Sequence, residues 1–123
     1  MDTVSSSAIA LAHLRLSVTD LAGAIDFFEA MGAVTDVRQD KFAVVELGDR
    51  TRLQLTQSAT EVRAGANLQF DFRVEDIDAA WRAYEAKGLN PGEIERHNPG
   101  HDCFILLGPD ATAVKINGAY KPN

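Results

Sequence analysis

The stretch His13-Leu14-Arg15-Leu16-Ser17-Val18-Thr19-Asp20-Leu21 returns later in the chain as Gln69-Phe70-Asp71-Phe72-Arg73-Val74-Glu75-Asp76-Ile77. At the same offset Ala24 falls on Ala80, Phe28 on Tyr84 and Gly32 on Gly88. A chain that repeats a pattern at fixed spacing is built from copies of one supersecondary unit, each needing the other to cover its apolar face. In both copies the residues alternate. Leu14, Leu16 and Val18 oppose His13, Arg15 and Ser17, and Phe70, Phe72 and Val74 oppose Gln69, Asp71 and Arg73. Period two is the mark of a strand with one apolar and one polar face.

Each strand then runs into a helix. Asp20 and Asp76 are good N-caps; Leu21, Ala24, Ile25 and Phe28 recur at helical spacing up to Gly32, as do Ile77, Ala80, Trp81 and Tyr84 up to Gly88. Asp78 falls in the first turn, where the helix dipole favours a negative charge. After the first helix the spacing predicts strands at Val34–Arg38, Lys41–Leu47 and Thr51–Gln57, the last two joined by Gly48-Asp49-Arg50. After the second it predicts a weak strand over Gly92–His97, a turn at Asn98-Pro99-Gly100, and a final pair, Cys103–Leu107 and Thr112–Asn117. The domain reading is one domain over residues 1–123, with repeat one at about 9–57, a polar linker at 58–66 and repeat two at about 67–120.

Bulk properties narrow the function. With 123 residues, 46% of them hydrophobic, the chain can bury a core. A formal charge of −6 and a pI near 4.9 argue against general affinity for nucleic acid or anionic membrane. Cys103 is the only cysteine, which excludes an intramolecular disulfide and a thiolate-rich zinc site; as a single residue it reads as a small buried hydrophobe. The opening Met1–Ser7 has no basic segment, and the apolar run Ala8–Ala12 is too short for a signal peptide or a membrane span. The expectation is a cytoplasmic protein.

The duplicated order, the HLxLxV-D-L opening and the closing segment Phe104-Ile105-Leu106-Leu107-Gly108-Pro109-Asp110 resemble the vicinal oxygen chelate superfamily of glyoxalases, bleomycin resistance proteins and extradiol dioxygenases. The resemblance covers roughly Ile9 to Tyr120. It implies an α+β fold in which two βαβββ repeats form a curled eight-stranded mixed sheet, or two half-barrels, with the helices outside. Leu14, Leu16, Phe70 and Phe72 would then lie under the helices, and His13, Arg15, Gln69 and Asp71 would line a cavity.

Metal-using members of that family draw four ligands, commonly two His and two Glu, from the opening and closing strands of the two units. Carried over, those positions read His13, Gln54, Gln69 and Lys115. One imidazole and two amides bring no negative charge, and an ammonium would have to lose its proton beside a dication, so no metal and no other cofactor is expected there. His97 and His101 lie four apart across Pro99-Gly100, not on a helix, and read as solvated histidines at the rim of the cavity.

Without a metal the cavity is still polar. Arg15, Arg73 and Lys115 are placed to converge in it, with Asp71 on the same face, which favours a carboxylate or phosphate ligand. The structural alternative is that Arg15 pairs with Asp71, or Arg73 with Glu46. The leading reading is a metal-independent protein that binds a small anionic or aromatic molecule through His13, Arg15, Gln54, Gln69, Asp71, Arg73 and Lys115, as bleomycin-resistance members sequester antibiotics as dimers. A homodimer is expected. Two alternatives stay open: a metal-dependent lyase, isomerase or dioxygenase with His13 as a ligand, and a dimeric structural or regulatory module with a filled cavity. If the protein is an enzyme without a metal, His13 is the candidate general base.

Overall fold

A computed structural model describes residues 12–48, 50–61 and 70–122. The first unit runs β1 (His13–Val18), α1 (Leu21–Met31), β2 (Val34–Arg38), β3 (Phe42–Glu46) and β4 (Arg52–Gln57). The second runs β5 (Phe70–Arg73), α2 (Ile77–Ala86), β6 (Gly100–Leu107), a turn at Pro109–Ala111, and β7 (Ala113–Lys121).

Both helices start and stop for reasons visible in their residues. The Asp20 carboxylate accepts a hydrogen bond from the Gly23 N–H and that of Asp76 from the Ala79 N–H, each 3.0 Å, satisfying backbone donors that a first turn leaves free. Gly32 ends α1 with φ at 113°, and its N–H returns to the Glu29 carbonyl.

The strands make two mixed sheets among the described residues. One has the order β1-β4-β3-β2 and the other β5-β7-β6. In each, the opening strand pairs in parallel with the closing one, so β1 lies along β4 and β5 along β7, as a duplicated unit requires. The eighth strand expected at Gly92–His97 is not formed. That segment makes one antiparallel bridge, Glu95 to Cys103, because Pro91 and Gly92 lead into it and Ile94 is its only large apolar residue, too little to pay for a buried strand. Among the described residues the architecture is α+β with seven strands, helices outside and no closed barrel.

The units share one core. Leu16, Val18, Ile25, Phe28, Leu53 and Leu55 from the first pack in the same cluster as Phe70, Tyr84, Phe104, Leu106, Val114 and Ile116 from the second. Polar clasps tie them at two places. The Asp110 carboxylate accepts from the Thr19 N–H at 3.0 Å and from its hydroxyl at 2.6 Å, and Lys87 Nζ donates to the Ala30 carbonyl at 2.9 Å, at the negative end of α1. No described helix is long and apolar enough to cross a membrane. The start of repeat one, residues 9–11, Asp49 of the 48–50 turn and most of the linker, residues 62–66, lie outside the described residues, as does Gln69 of the second opening stretch.

Candidate functional site

The parallel register of β5 on β7 sets Asp71 opposite Lys115 and Arg73 opposite Asn117. Because side chains in a strand alternate, these four emerge from the same face of the sheet. With Phe72 and His101 they line a hollow of about 380 Å³. His101 enters from the start of β6, where it is half-buried; its Nδ1 lies 2.7 Å from the Gly118 carbonyl oxygen, and its ring packs on Tyr120 at a centroid distance of 5.4 Å. Since a carbonyl can only accept, Nδ1 carries the hydrogen, and in the neutral ring Nε2 is a lone-pair acceptor. Asn117 Nδ2 donates to the Phe72 carbonyl at 3.3 Å, bracing β5 against β7.

Two cations stand in this hollow. Among the described residues neither Arg73 nor Lys115 forms an ion pair, and no ion pair joins Arg15 to Asp71 or Arg73 to Glu46. Asp71 and Arg73 also border a larger cavity of about 460 Å³, lined by Leu14, Phe28, Met31, Phe72, Val74 and Tyr84 at the seam between the two units. Strand β5 is thus the common wall of a polar hollow and an apolar one.

The remaining residues singled out in the sequence fall elsewhere. Arg15 and Gln54 face each other in register across β1 and β4, and His13 faces Arg52, on the solvent side of the first sheet. None of His13, Arg15 and Gln54 lines either cavity, and Gln69 lies outside the described residues. His97 stands outside the hollow, with its Nε2 3.7 Å from a Glu95 oxygen. Sequence reading missed Asn117, although it sits two residues along β7 from Lys115 and therefore on the same face. It also placed His101 at a rim, where the structure makes it part of the lining.

A metal at the family's ligand positions does not fit the residues present. Lys115 lines a hollow that Arg73 lines as well, and His13 belongs to the other sheet and is exposed. Such a donor set offers a dication repulsion and no carboxylate or thiolate.

Behind the hollow, the second residue of β6 after His101's neighbour Gly100 is a charge hub. Asp102 accepts from Lys121 Nζ at 2.7 Å, from the His97 N–H at 3.0 Å and from Arg96 Nη1 at 3.0 Å. The Lys121 ammonium and the His97 N–H, with Arg96 beside them, hold its carboxyl well below the usual carboxylate range. Arg96 in turn donates to Asp78 at 2.6 Å, so the 92–97 segment is fastened to α2 as well as to β6.

Comparison with known proteins agrees with this architecture. The model of the Glyoxalase/Bleomycin resistance protein/Dioxygenase superfamily matches residues 10–115. The chain belongs to that superfamily. Among curated proteins none matches its sequence. Solved structures share its fold at low identity. TnmS3, an antibiotic-binding protein from Streptomyces, is 21% identical with a TM-score of 0.76, covering 91% of this chain and 98% of its own. The bleomycin resistance determinant encoded on transposon Tn5 is 17% identical at 0.73, covering 89% and 98%. A lactoylglutathione lyase from Agrobacterium tumefaciens is 19% identical at 0.73, covering 94% and 96%. Binders and an enzyme share this superfamily chain's fold, so the fold alone does not choose between those activities.

Proposed function

We propose that this superfamily member is a metal-independent binder of a small organic anion, held in the hollow between β5, β6 and β7. The observation that carries the reading is the pair of cations, Arg73 and Lys115, that share the hollow without an ion-pair partner among the described residues. A partly enclosed carboxylate or phosphate meets a planar guanidinium and an ammonium there, and charge-assisted hydrogen bonds in such a setting are stronger than neutral ones. Asn117 and the Nε2 of His101 add one amide and one acceptor for groups next to the anion. The apolar cavity on the other side of Asp71 and Arg73 offers a place for an aromatic body. His13, Arg15, Gln54 and Gln69 stay in this proposal only as a second polar surface for a ligand that extends beyond the hollow, since His13, Arg15 and Gln54 lie on the solvent side of the first sheet and line neither cavity. We read the protein as a homodimer of the reducing cytoplasm, the former on its exposed Val34 and Leu107 and the latter on its unpaired Cys103.

The test is thermal stabilisation by inorganic phosphate, simple aromatic carboxylates and bleomycin, before and after treatment with a chelator. A ligand that binds only the folded state raises the melting temperature in proportion to the logarithm of its concentration once it exceeds Kd. The expected result is saturable stabilisation by at least one anion, unchanged by the chelator and lost in Arg73→Ala with Lys115→Ala. Stabilisation that survives both substitutions, or that needs a metal, overturns the proposal.

A further inference from the structure

Outside the hollow, Glu95, His97 and Cys103 bring a carboxylate oxygen, an imidazole nitrogen and a thiol sulfur within 4.8 Å of one another. The backbone accounts for the meeting. Glu95 and Cys103 are bridge partners whose N–H groups donate to each other's carbonyls at 2.8 and 3.0 Å, so their side chains share a face, and His97 follows two residues after Glu95. The loop that returns from His97 to β6 is tight. Asp102 fixes the His97 N–H, and Gly100, at φ 130°, passes so close that a side chain there would meet the His97 Cβ at 3.2 Å.

We infer that Glu95, His97 and Cys103 form a binding site for one divalent ion of the zinc class, separate from the positions the family uses for its metals. Sulfur, nitrogen and oxygen donors are the set such borderline-soft ions take, in tetrahedral geometry with distances of about 2.0 to 2.3 Å. A tetrahedral site with those bond lengths separates its nitrogen and oxygen donors by roughly 3.3 Å; here Nε2 of His97 and Oε1 of Glu95 are 3.7 Å apart, so closing the site takes a small rotation of exposed side chains. The charges also suit a dication. A thiolate and a carboxylate supply two negative charges, where His13, Gln54, Gln69 and Lys115 supply none.

Burial divides the site in a useful way. Cys103 is 5% exposed while Glu95 and His97 lie on the surface, so the sulfur anchors the ion from below and the fourth position faces solvent, open to water or to a donor from outside. On binding, Cys103 gives up its thiol proton to solvent and His97 coordinates as neutral imidazole, so each ion taken up releases one proton from sulfur. The ion would clip the 95–97 segment to β6, at the place where the duplicated pattern calls for a strand that does not form.

The experiment titrates the full chain with Co²⁺ and follows the thiolate-to-cobalt charge-transfer band, then displaces the cobalt with Zn²⁺. The expected result is a band that saturates at one equivalent and is absent from Cys103→Ala, with Cys103→Ser as the second variant should alanine disturb the fold. His97→Ala and Glu95→Gln should each weaken Zn²⁺ binding by more than the about 10-fold lower bound for losing an outer-shell partner, while Glu93→Gln leaves it unchanged. Metal bound without a thiolate band, or a band that persists in Cys103→Ala, overturns the inference. Binding equal in wild type and in His97→Ala does so as well, marking adventitious surface metal. Anion binding by the hollow, measured on the same Cys103 variant, should be retained, so this inference and the proposed function fail separately.

Discussion

Nδ1 of His101 lies 2.7 Å from the carbonyl oxygen of Gly118, which fixes the imidazole as the Nδ1–H tautomer whenever it is neutral. In nitrogen-15 spectra of the neutral His101 ring, its Nδ1 should show the protonated shift and its Nε2 the unprotonated one. An Nε2–H tautomer would mean that this contact is not made in solution. His101→Phe should keep the packing on Tyr120 and remove the acceptor, lowering affinity for ligands that donate a hydrogen bond more than for inorganic phosphate.

Phe104 is 1% exposed and meets Tyr84 edge-to-face at 6.1 Å, in the centre of the core the two units share. Phe104→Ala leaves a cavity with partners from both units around it, and such truncations cost about 3 to 5 kcal/mol. Urea unfolding should show that loss in a single transition with an unchanged m-value. Two separated transitions would mean that the halves unfold independently.

Burial pushes the Tyr84 phenol above its ordinary value. A proton held more tightly in the folded state makes that contribution complete below the unfolded phenol's pKa, about 10, and stability is then lost as pH rises until the folded phenol ionises. Tyr84→Phe retains the ring against Phe104 and gives up only a long 3.4 Å contact from the hydroxyl to the Met31 carbonyl. Thermal melts from neutral to strongly alkaline pH should therefore show a flatter alkaline fall for Tyr84→Phe than for the wild type. Parallel curves would put the alkaline loss on another group.

The Asp110 carboxylate reaches across the units to both the backbone and the hydroxyl of Thr19, immediately before the Asp20 cap of α1. Asp110→Ala should cost about 1 kcal/mol, the net worth of a hydrogen bond in a partly exposed setting. Asp110→Asn should recover part of it, since an amide oxygen still accepts. Equal stability for all three proteins in chemical denaturation would show that the clasp contributes nothing.

Local signals located most of this fold because they act within a few residues. The period-two faces of His13–Val18, the Asp20 and Asp76 caps and the left-handed Gly32 are local, and the structure has them where the residues put them. The missing eighth strand failed for a reason equally local, the poverty of apolar residues between Pro91 and His97. What holds that segment instead is long-range: Arg96 reaches Asp78 on α2, and Trp81 Nε1 donates to the Gly92 carbonyl at 2.8 Å. No spacing rule along the chain reveals such contacts. The site divides the same way. Strand alternation put Asp71 and Arg73 on one polar face, the family resemblance marked Lys115, and the register of β5 on β7 brought the three together. Alternation marked Arg15 and the family resemblance marked Gln54, yet which hollow a polar face borders depends on how two sheets curve against each other, and neither residue lines either cavity.

The stretch from Gly92 to Glu95 gives β6 only three backbone hydrogen bonds, Gly92 to Ile105 and the mutual pair between Glu95 and Cys103. That is enough to occupy an edge which would otherwise present a row of free donors and acceptors to any passing strand. A length of chain too poor in apolar residues to be a strand still shields the sheet from edge-to-edge aggregation. Its glutamates and Arg96 make a further strand added outside it costly, so loosening this cover, for example by Arg96→Ala, should show first as lost solubility on storage and only second as lost stability.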